Sequence, residues 1–375
     1  MPTETADWVG LTLDGRYAVT AKLGEGGMGF VYRARDTRLT CDVVVKVPRA
    51  AMLEDPNFRE RFRAEVGALV RLAHPHVVRV TDFGQHDRVP FAVMQFLPGG
   101  SLDDRRPKDA HGHPKPVSPR ALAGWLPAVA DGLDFIHQQG YVHRDIKPAN
   151  ILFDAHKNAY ISDFGVAKVV GGGRTDRNLT GEGMILGTAT YMAPELVKGE
   201  KAIDGRIDQY ALAVTVFELI AGRPPFEGPT PMAVLVKRTT EDPPALAAIH
   251  PGVPAGLSAA LARGMSRDPA QRFSTCAKFA KACLAGLRDA ATTAKAAPPP
   301  IPSTAPRPAA DTPSHGMTRA VSAVRPAAAV PVVAPAGGGR TGLVIALACV
   351  SGLLVVALAV GGWLATRGPR TGREG

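Results

Sequence analysis

Two short polar clusters set in apolar sequence restrict the fold more than anything else in the chain. They are His143-Arg144-Asp145-Ile146-Lys147-Pro148-Ala149-Asn150 and, thirteen residues past Asn150, Asp163-Phe164-Gly165. Between them runs Ile151-Leu152-Phe153, so the chain must fold with two carboxylates and an amide flanking a hydrophobic strand. Transfer of a phosphoryl group to a hydroxyl requires this set. Asp145 can accept from or orient the acceptor hydroxyl, and Asn150 and Asp163 can hold Mg²⁺, with Mn²⁺ as the alternative ion. Lys147 can neutralise the transferring phosphoryl.

Upstream lies Leu23-Gly24-Glu25-Gly26-Gly27-Met28-Gly29-Phe30-Val31, whose glycine spacing alone fits two unrelated nucleotide folds. A dinucleotide-binding loop would open a helix after its last glycine. Here Phe30-Val31-Tyr32 is aromatic and β-branched and continues as a strand, which predicts a hairpin folded over phosphates. Gly24, Gly26 and Gly29 suit that task because a backbone without Cβ can approach a triphosphate closely.

Lys46 follows Gly29 by seventeen residues, within the apolar strand Cys41-Asp42-Val43-Val44-Val45-Lys46-Val47. A lysine among valines needs a paired charge. In the stretch after it Phe58, Phe62 and Leu69 recur at helical spacing. Glu65 shares that apolar face and is the expected partner of Lys46, while the rival Glu60 falls among the arginines of the opposite face.

The complete set, in this order, resembles the eukaryotic-type (Hanks-type) serine/threonine protein kinases, of the membrane-anchored kind found in bacteria, over about residues 17 to 285. The resemblance implies an α+β fold of two lobes, a small β-rich N-lobe with one helix and a larger helical C-lobe. It implies ATP and Mg²⁺ as cofactors, Lys46, Glu65, Asp145 and Lys147 as catalytic residues, and Asn150 and Asp163 as metal ligands. Further matches are Ala193-Pro194-Glu195, Asp208 in Arg206-Ile207-Asp208-Gln209-Tyr210, and Arg272 in Asp268-Pro269-Ala270-Gln271-Arg272-Phe273. By resemblance Glu195 and Arg272 form a buried ion pair, Asp208 holds the catalytic loop from below, and Thr188 packs against that loop. The adenine site then falls between the lobes. Met94 is the residue at its back wall, and the backbone of Gln95 and Leu97 bonds the base. Leu23, Val31 and Val44 lie on one side and Leu152 on the other. Two positions depart from the usual pattern: Val44 stands where alanine is usual, and Gln95 where glutamate is common. Neither removes a catalytic group.

Lys147, two residues after Asp145, together with Gly187-Thr188 before Ala193-Pro194-Glu195, is the serine/threonine pattern, so the expected partners are proteins with Ser/Thr acceptors. Arg144 places a guanidinium beside Asp145, where kinases of this family pair it with a phosphorylated activation loop, and Thr180 and Thr175 are the expected phosphosites. A pseudokinase scaffold would be expected to lack one of Lys46, Glu65, Asp145, Asn150 or Asp163, and all are present. A dinucleotide-dependent enzyme fails at the strand after Gly29. The segment Arg105 to Val117, rich in Lys, Arg and His, reads as an extended solvated loop.

Residues 291–340 hold 10 Pro and 14 Ala, too little apolar surface to offset the entropy of ordering. Then comes LVIALACVSGLLVVALAVGGWLAT, free of charge, whose helix would span about 35 Å against a hydrocarbon core of about 30 Å. The expected organisation is therefore an N-terminal extension over 1–16, the kinase domain over 17–288, a disordered linker over 289–341, one transmembrane helix over 342–366 and a tail over 367–375. Met1 to Gly10 carries Glu4 and Asp7 and no apolar core, so no signal peptide is expected. The kinase domain is expected in the cytoplasm at the plasma membrane, with the short tail outside. This holds although Arg367, Arg370 and Arg373 outnumber Arg325 and Arg340 across the span. Small residues at Ala348 and Gly352, and at Ala357 and Gly361, would let two such helices approach, which makes a homodimer a further expected partner.

From Ala291 onward eight Lys/Arg face Asp311 and Glu374, which leaves only +4 of the formal +10 on the first 290 residues, so no nucleic-acid partner is expected. The four cysteines have no CxxC pair and no histidine at ligand spacing, and read as reduced, buried thiols.

Overall fold

The computed structural model describes residues 8–26, 29–163 and 189–295. All belong to the first of two compact units, 1–301 and 302–375. Among the described residues no helix is long and apolar enough to cross a membrane, and the 342–366 segment, most of the linker and the tail lie outside them. So do Phe164, Gly165, Thr175, Thr180 and Thr188.

The small lobe is a six-stranded antiparallel sheet. Its strands are β1 (Thr12–Leu13), β2 (Tyr17–Gly26), β3 (Gly29–Asp36), β4 (Cys41–Pro48), β5 (Val80–His86) and β6 (Val89–Gln95), in the order β1-β2-β3-β4-β6-β5. The valine run of β4 resolves into two faces at the period of a strand. Val43, Val45 and Val47 bury themselves with Tyr32, Phe91 and Val93, while Val44 and Lys46 turn to the other side. Helix α1 (Phe58–Leu69) buries Phe58, Phe62, Val66 and Leu69 as one stripe against β5 and β6. Glu65 is half buried on it, and Glu60 is exposed.

Part of the expected N-terminal extension belongs to this sheet. Thr12 and Leu13 pair with Ala18 and Tyr17, Leu13 is fully buried, and Trp8 stacks on Tyr32 with ring centroids 6.4 Å apart. A strand of two residues is too short to show alternation in sequence.

The large lobe contains α2 (Leu126–Gln138), the hairpin β7 (Ile151–Phe153) and β8 (Ala159–Ile161), and then α3 (Pro194–Val197), α4 (Arg206–Ala221), α5 (Pro231–Thr240), α6 (Leu246–Ile249), α7 (Ala255–Gly264) and α8 (Cys276–Lys295). Every residue of α4 from Ile207 to Ile220 is buried, so this helix is the axis of the lobe, with α7 and α8 packed on it. It ends at Gly222, whose φ of 77° is the left-handed cap that glycine supplies best. Helix α8 runs to Lys295, past the boundary expected at 288. The stretch Ala290-Ala291-Thr292-Thr293-Ala294-Lys295 is rich in the best helix former and free of proline, so nothing stops the helix there. Cys276 and Cys283 are buried as expected, whereas Cys41 is exposed at the start of β4.

Candidate active site

Between the lobes opens a cleft of about 700 Å³. The glycine hairpin forms its outer edge through Leu23, Gly24, Gly26 and Gly29. Register pairs Gly26 with Gly29 across the turn and Gly29 with Pro48 of β4. At Gly29, with φ of 140°, a Cβ would lie 1.9 Å from the Val47 carbonyl oxygen, so no other residue fits there. Val31 and Val44 line the cleft from the sheet and Leu152 from the β7–β8 hairpin, an apolar slot suited to a planar base. Met94, paired in register with Val44, closes the back, and Gln95 and Leu97 follow on the connecting chain. The Gln95 N–H is donated to the Arg79 carbonyl at 3.0 Å, so at Gln95 a base would have to use the carbonyl.

The polar end of the cleft is built on a loop held from beneath. Asp208, fully buried in the first turn of α4, accepts the backbone N–H of Arg144 and of His143, each at 2.8 Å, and bonds His137 Nε2 at 2.8 Å. Three donors on one carboxylate offset the desolvation of its charge. They hold Arg144 at a φ of 68°, a conformation non-glycine residues adopt under external constraint. His143 Nδ1 accepts the Asp145 N–H at 3.3 Å, which leaves the proton on Nε2 to donate to the Ser162 carbonyl at 2.8 Å. The loop is thereby tied to the residue before Asp163, and the two polar clusters of the sequence meet.

Within that frame Lys147 Nζ donates to both oxygens of Asp145, at 2.8 and 3.1 Å. Asn150 Nδ2 donates to Asp145 Oδ2 at 2.9 Å and to its backbone carbonyl at 2.7 Å. The Asn150 side-chain oxygen is then left as an acceptor, and with the Asp163 carboxylate it makes a pair of hard oxygen ligands fitting Mg²⁺ or Mn²⁺.

Lys46 departs from expectation. Its ammonium lies 2.5 Å from Asp163 Oδ1, so the ion pair formed by the β4 lysine is with Asp163 and not with Glu65. Asp163 has a φ of 64°, which points its short side chain into the cleft, where Lys46 is the nearest cation. Burial opposes ionisation of Asp163, but the attraction of Lys46 outweighs it and holds the carboxyl below the usual range.

The predicted support of the large lobe is present. Arg272 donates to Glu195 at 2.6 and 2.8 Å as a bidentate pair, with side chains 0% and 4% exposed. Sequence reading missed a second buried pair. Arg106, in the segment read as a solvated loop, is buried and reaches Glu218 of α4 at 2.6 Å, and the Tyr191 hydroxyl bonds the other Glu218 oxygen at 2.5 Å. The many charges of that segment concealed the one that is internal. Asp134, His137 and Cys276 also cluster, with ligand atoms within 4.8 Å of one another. Asp134 already caps α8 through the N–H groups of Cys276 and Ala277, at 2.8 and 2.9 Å, and His137 is committed to Asp208. Burial and Asp134 push the Cys276 thiol well up, so this is a structural joint.

A family model for the protein kinase domain matches residues 17–294. The serine/threonine-protein kinase PknB of Mycobacterium tuberculosis is 35% identical over 271 residues, 71% of this chain and 42% of that protein. The serine/threonine-protein kinase PknJ of Mycobacterium bovis is 36% identical over 292 residues, 76% of this chain and 48% of that protein. Among solved structures, the kinase domain of M. tuberculosis PknI superposes with a TM-score of 0.56 at 33% identity, covering 74% of this chain and 98% of that domain. The chain belongs to the protein kinase family, among the bacterial serine/threonine-protein kinases. It spans less than half the length of the curated relatives it matches.

Proposed function

We propose that the chain transfers the γ-phosphoryl group of Mg-ATP to serine and threonine hydroxyls of proteins, that it phosphorylates its own Thr180, Thr175 or both, and that residues 342–366 hold it in the plasma membrane with the kinase domain in the cytoplasm. The observation that carries the reading is the convergence of Lys46, Asp145, Lys147, Asn150 and Asp163 at the polar end of a cleft whose other end is apolar.

Each group has a task. Val44 and Leu152 sandwich the base, and the glycine hairpin brings backbone N–H groups over the phosphates. Lys46 binds phosphate oxygens from above. Asn150 and Asp163 would hold the Mg²⁺, which when bound neutralises phosphate charge. Asp145 orients the acceptor hydroxyl and takes its proton, and the hydrogen bonds from Lys147 and Asn150 fix its carboxylate for that purpose. Lys147 then lies beside the phosphoryl in transit. Lys147 and the names of the relatives both support aliphatic hydroxyl acceptors.

The test is phosphorylation of a serine- and threonine-containing acceptor by the purified full chain with ATP and Mg²⁺. Label is expected on Ser/Thr and on Thr180 or Thr175. Asp145→Asn is expected to keep nucleotide binding while transfer falls by about 10²- to 10⁴-fold. A wild-type chain that binds ATP and labels nothing would overturn the proposal.

A further inference from the structure

Beyond its pairing with β3, packing does little to hold the outer end of the glycine hairpin. Leu23, Glu25 and Gly26 are exposed, and a Cβ built at Gly24 or Gly26 would meet nothing within 4 Å among the described residues. What reaches this end is Arg49, the residue that follows Pro48 at the end of β4. Its Nε donates to the Gly26 carbonyl at 2.9 Å, and its Nη2 donates to Glu25 Oε1 at 2.8 Å. Lys22 Nζ donates to the other oxygen of Glu25, also at 2.8 Å. Both cations lie over the ring of Phe30, Lys22 at 4.8 Å and Arg49 at 5.4 Å from its centroid, and register pairs Phe30 with Glu25 across the hairpin. The bonds from Lys22 and Arg49 hold the Glu25 carboxyl below its usual range.

An isolated ion pair at the surface holds little. This one belongs to a network that also grips the main chain, since the Arg49 bond to the Gly26 carbonyl fixes the peptide that carries it. Arg49 stands three residues past Lys46, so the strand that carries the proposed phosphate-binding lysine also carries the guanidinium that reaches the hairpin. Glu25, Gly26, Phe30 and Pro48 all line the cleft, and Arg49 itself does not.

We infer that Arg49 and Glu25 are positioning residues for the nucleotide: they hold the glycine hairpin down over the triphosphate, at a height set by the strand of Lys46. This rests on the nucleotide-binding part of the kinase reading above. Charge alone would give Glu25 the opposite sign. A carboxylate that merely stands near a triphosphate repels it, and its removal would tighten ATP. A carboxylate that holds the hairpin in place would weaken ATP when removed.

The test is equilibrium binding of Mg-ATP and of adenosine, which has no phosphates, to the full chain. Arg49→Met and Glu25→Ala are each expected to weaken Mg-ATP about fivefold and adenosine by less than about twofold. Arg49→Lys, which keeps the cation but not the planar fork, is expected to fall between Arg49→Met and wild type. Either Arg49→Met or Glu25→Ala binding Mg-ATP as tightly as wild type overturns the inference, as does a parallel loss of adenosine. If Arg49→Met does not fold, Glu25→Ala decides by the same criteria. A wild-type chain that binds Mg-ATP but phosphorylates no acceptor counts against the kinase reading and leaves this inference standing, whereas one that binds no Mg-ATP removes both.

Discussion

Asp36 is buried at the end of β3 with the Arg16 guanidinium 2.7 Å away, and the N–H groups of Arg38 and Leu39 also point at it, at 2.9 and 3.1 Å. The bond from Arg16, against the opposing effect of burial, lowers its carboxyl from 3.8 to about 2. The folded value lies below the unfolded one, so this stabilisation is complete above the unfolded value of about 3.8 and is lost as pH falls through about 2. Acid melting of Asp36→Asn should therefore lose the slope that wild type shows in that window, and equal slopes would refute the assignment. At this scale the sequence told more about which groups exist than about which ones meet. Lys46, Asp145, Asn150 and Asp163 were recognisable by type and spacing. That Lys46 pairs with Asp163, 117 residues away, depends on the φ of 64° at Asp163, which no local pattern announces. Arg106 was invisible for a related reason, since a buried arginine and a solvated one look alike in a string.

Elements were more legible. The change from glycines to Phe30-Val31-Tyr32 identified the β2–β3 hairpin, and the Phe58, Phe62, Leu69 spacing identified α1 and its buried face. Boundaries were less so, as β1 and the last turns of α8 show, because chain ends depend on what they pack against. The joint between α3 and the chain preceding α8 depends on Glu195 and Arg272. Arg272 also donates to the carbonyls of Ser266 at 2.8 Å and Arg206 at 2.9 Å, so one side chain ties three segments together. Removing either member leaves a buried charge alone. Arg272→Met should destabilise the domain by about 3 to 5 kcal/mol, and the double variant with Glu195→Gln should recover part of that, as read by denaturant unfolding. A loss below about 1 kcal/mol would mean water reaches the Glu195 carboxylate.

For the molecule as a whole, the proposed anchor gives a simple topology test. A reporter fused after Gly375 that is active only in the cytoplasm should be silent in intact cells, because one span with a cytoplasmic kinase domain places the tail outside. Signal from it would reverse the assignment. The amides of His143 and Arg144 close on Asp208 across 65 and 64 residues of chain. During synthesis, Asp145 leaves the ribosome well before α4 has been made, and until α4 packs, the loop around Asp145 lacks the carboxylate that shapes it. Order of translation is then a safeguard: a half-made chain can expose every residue of the loop and still be harmless to the proteins around it.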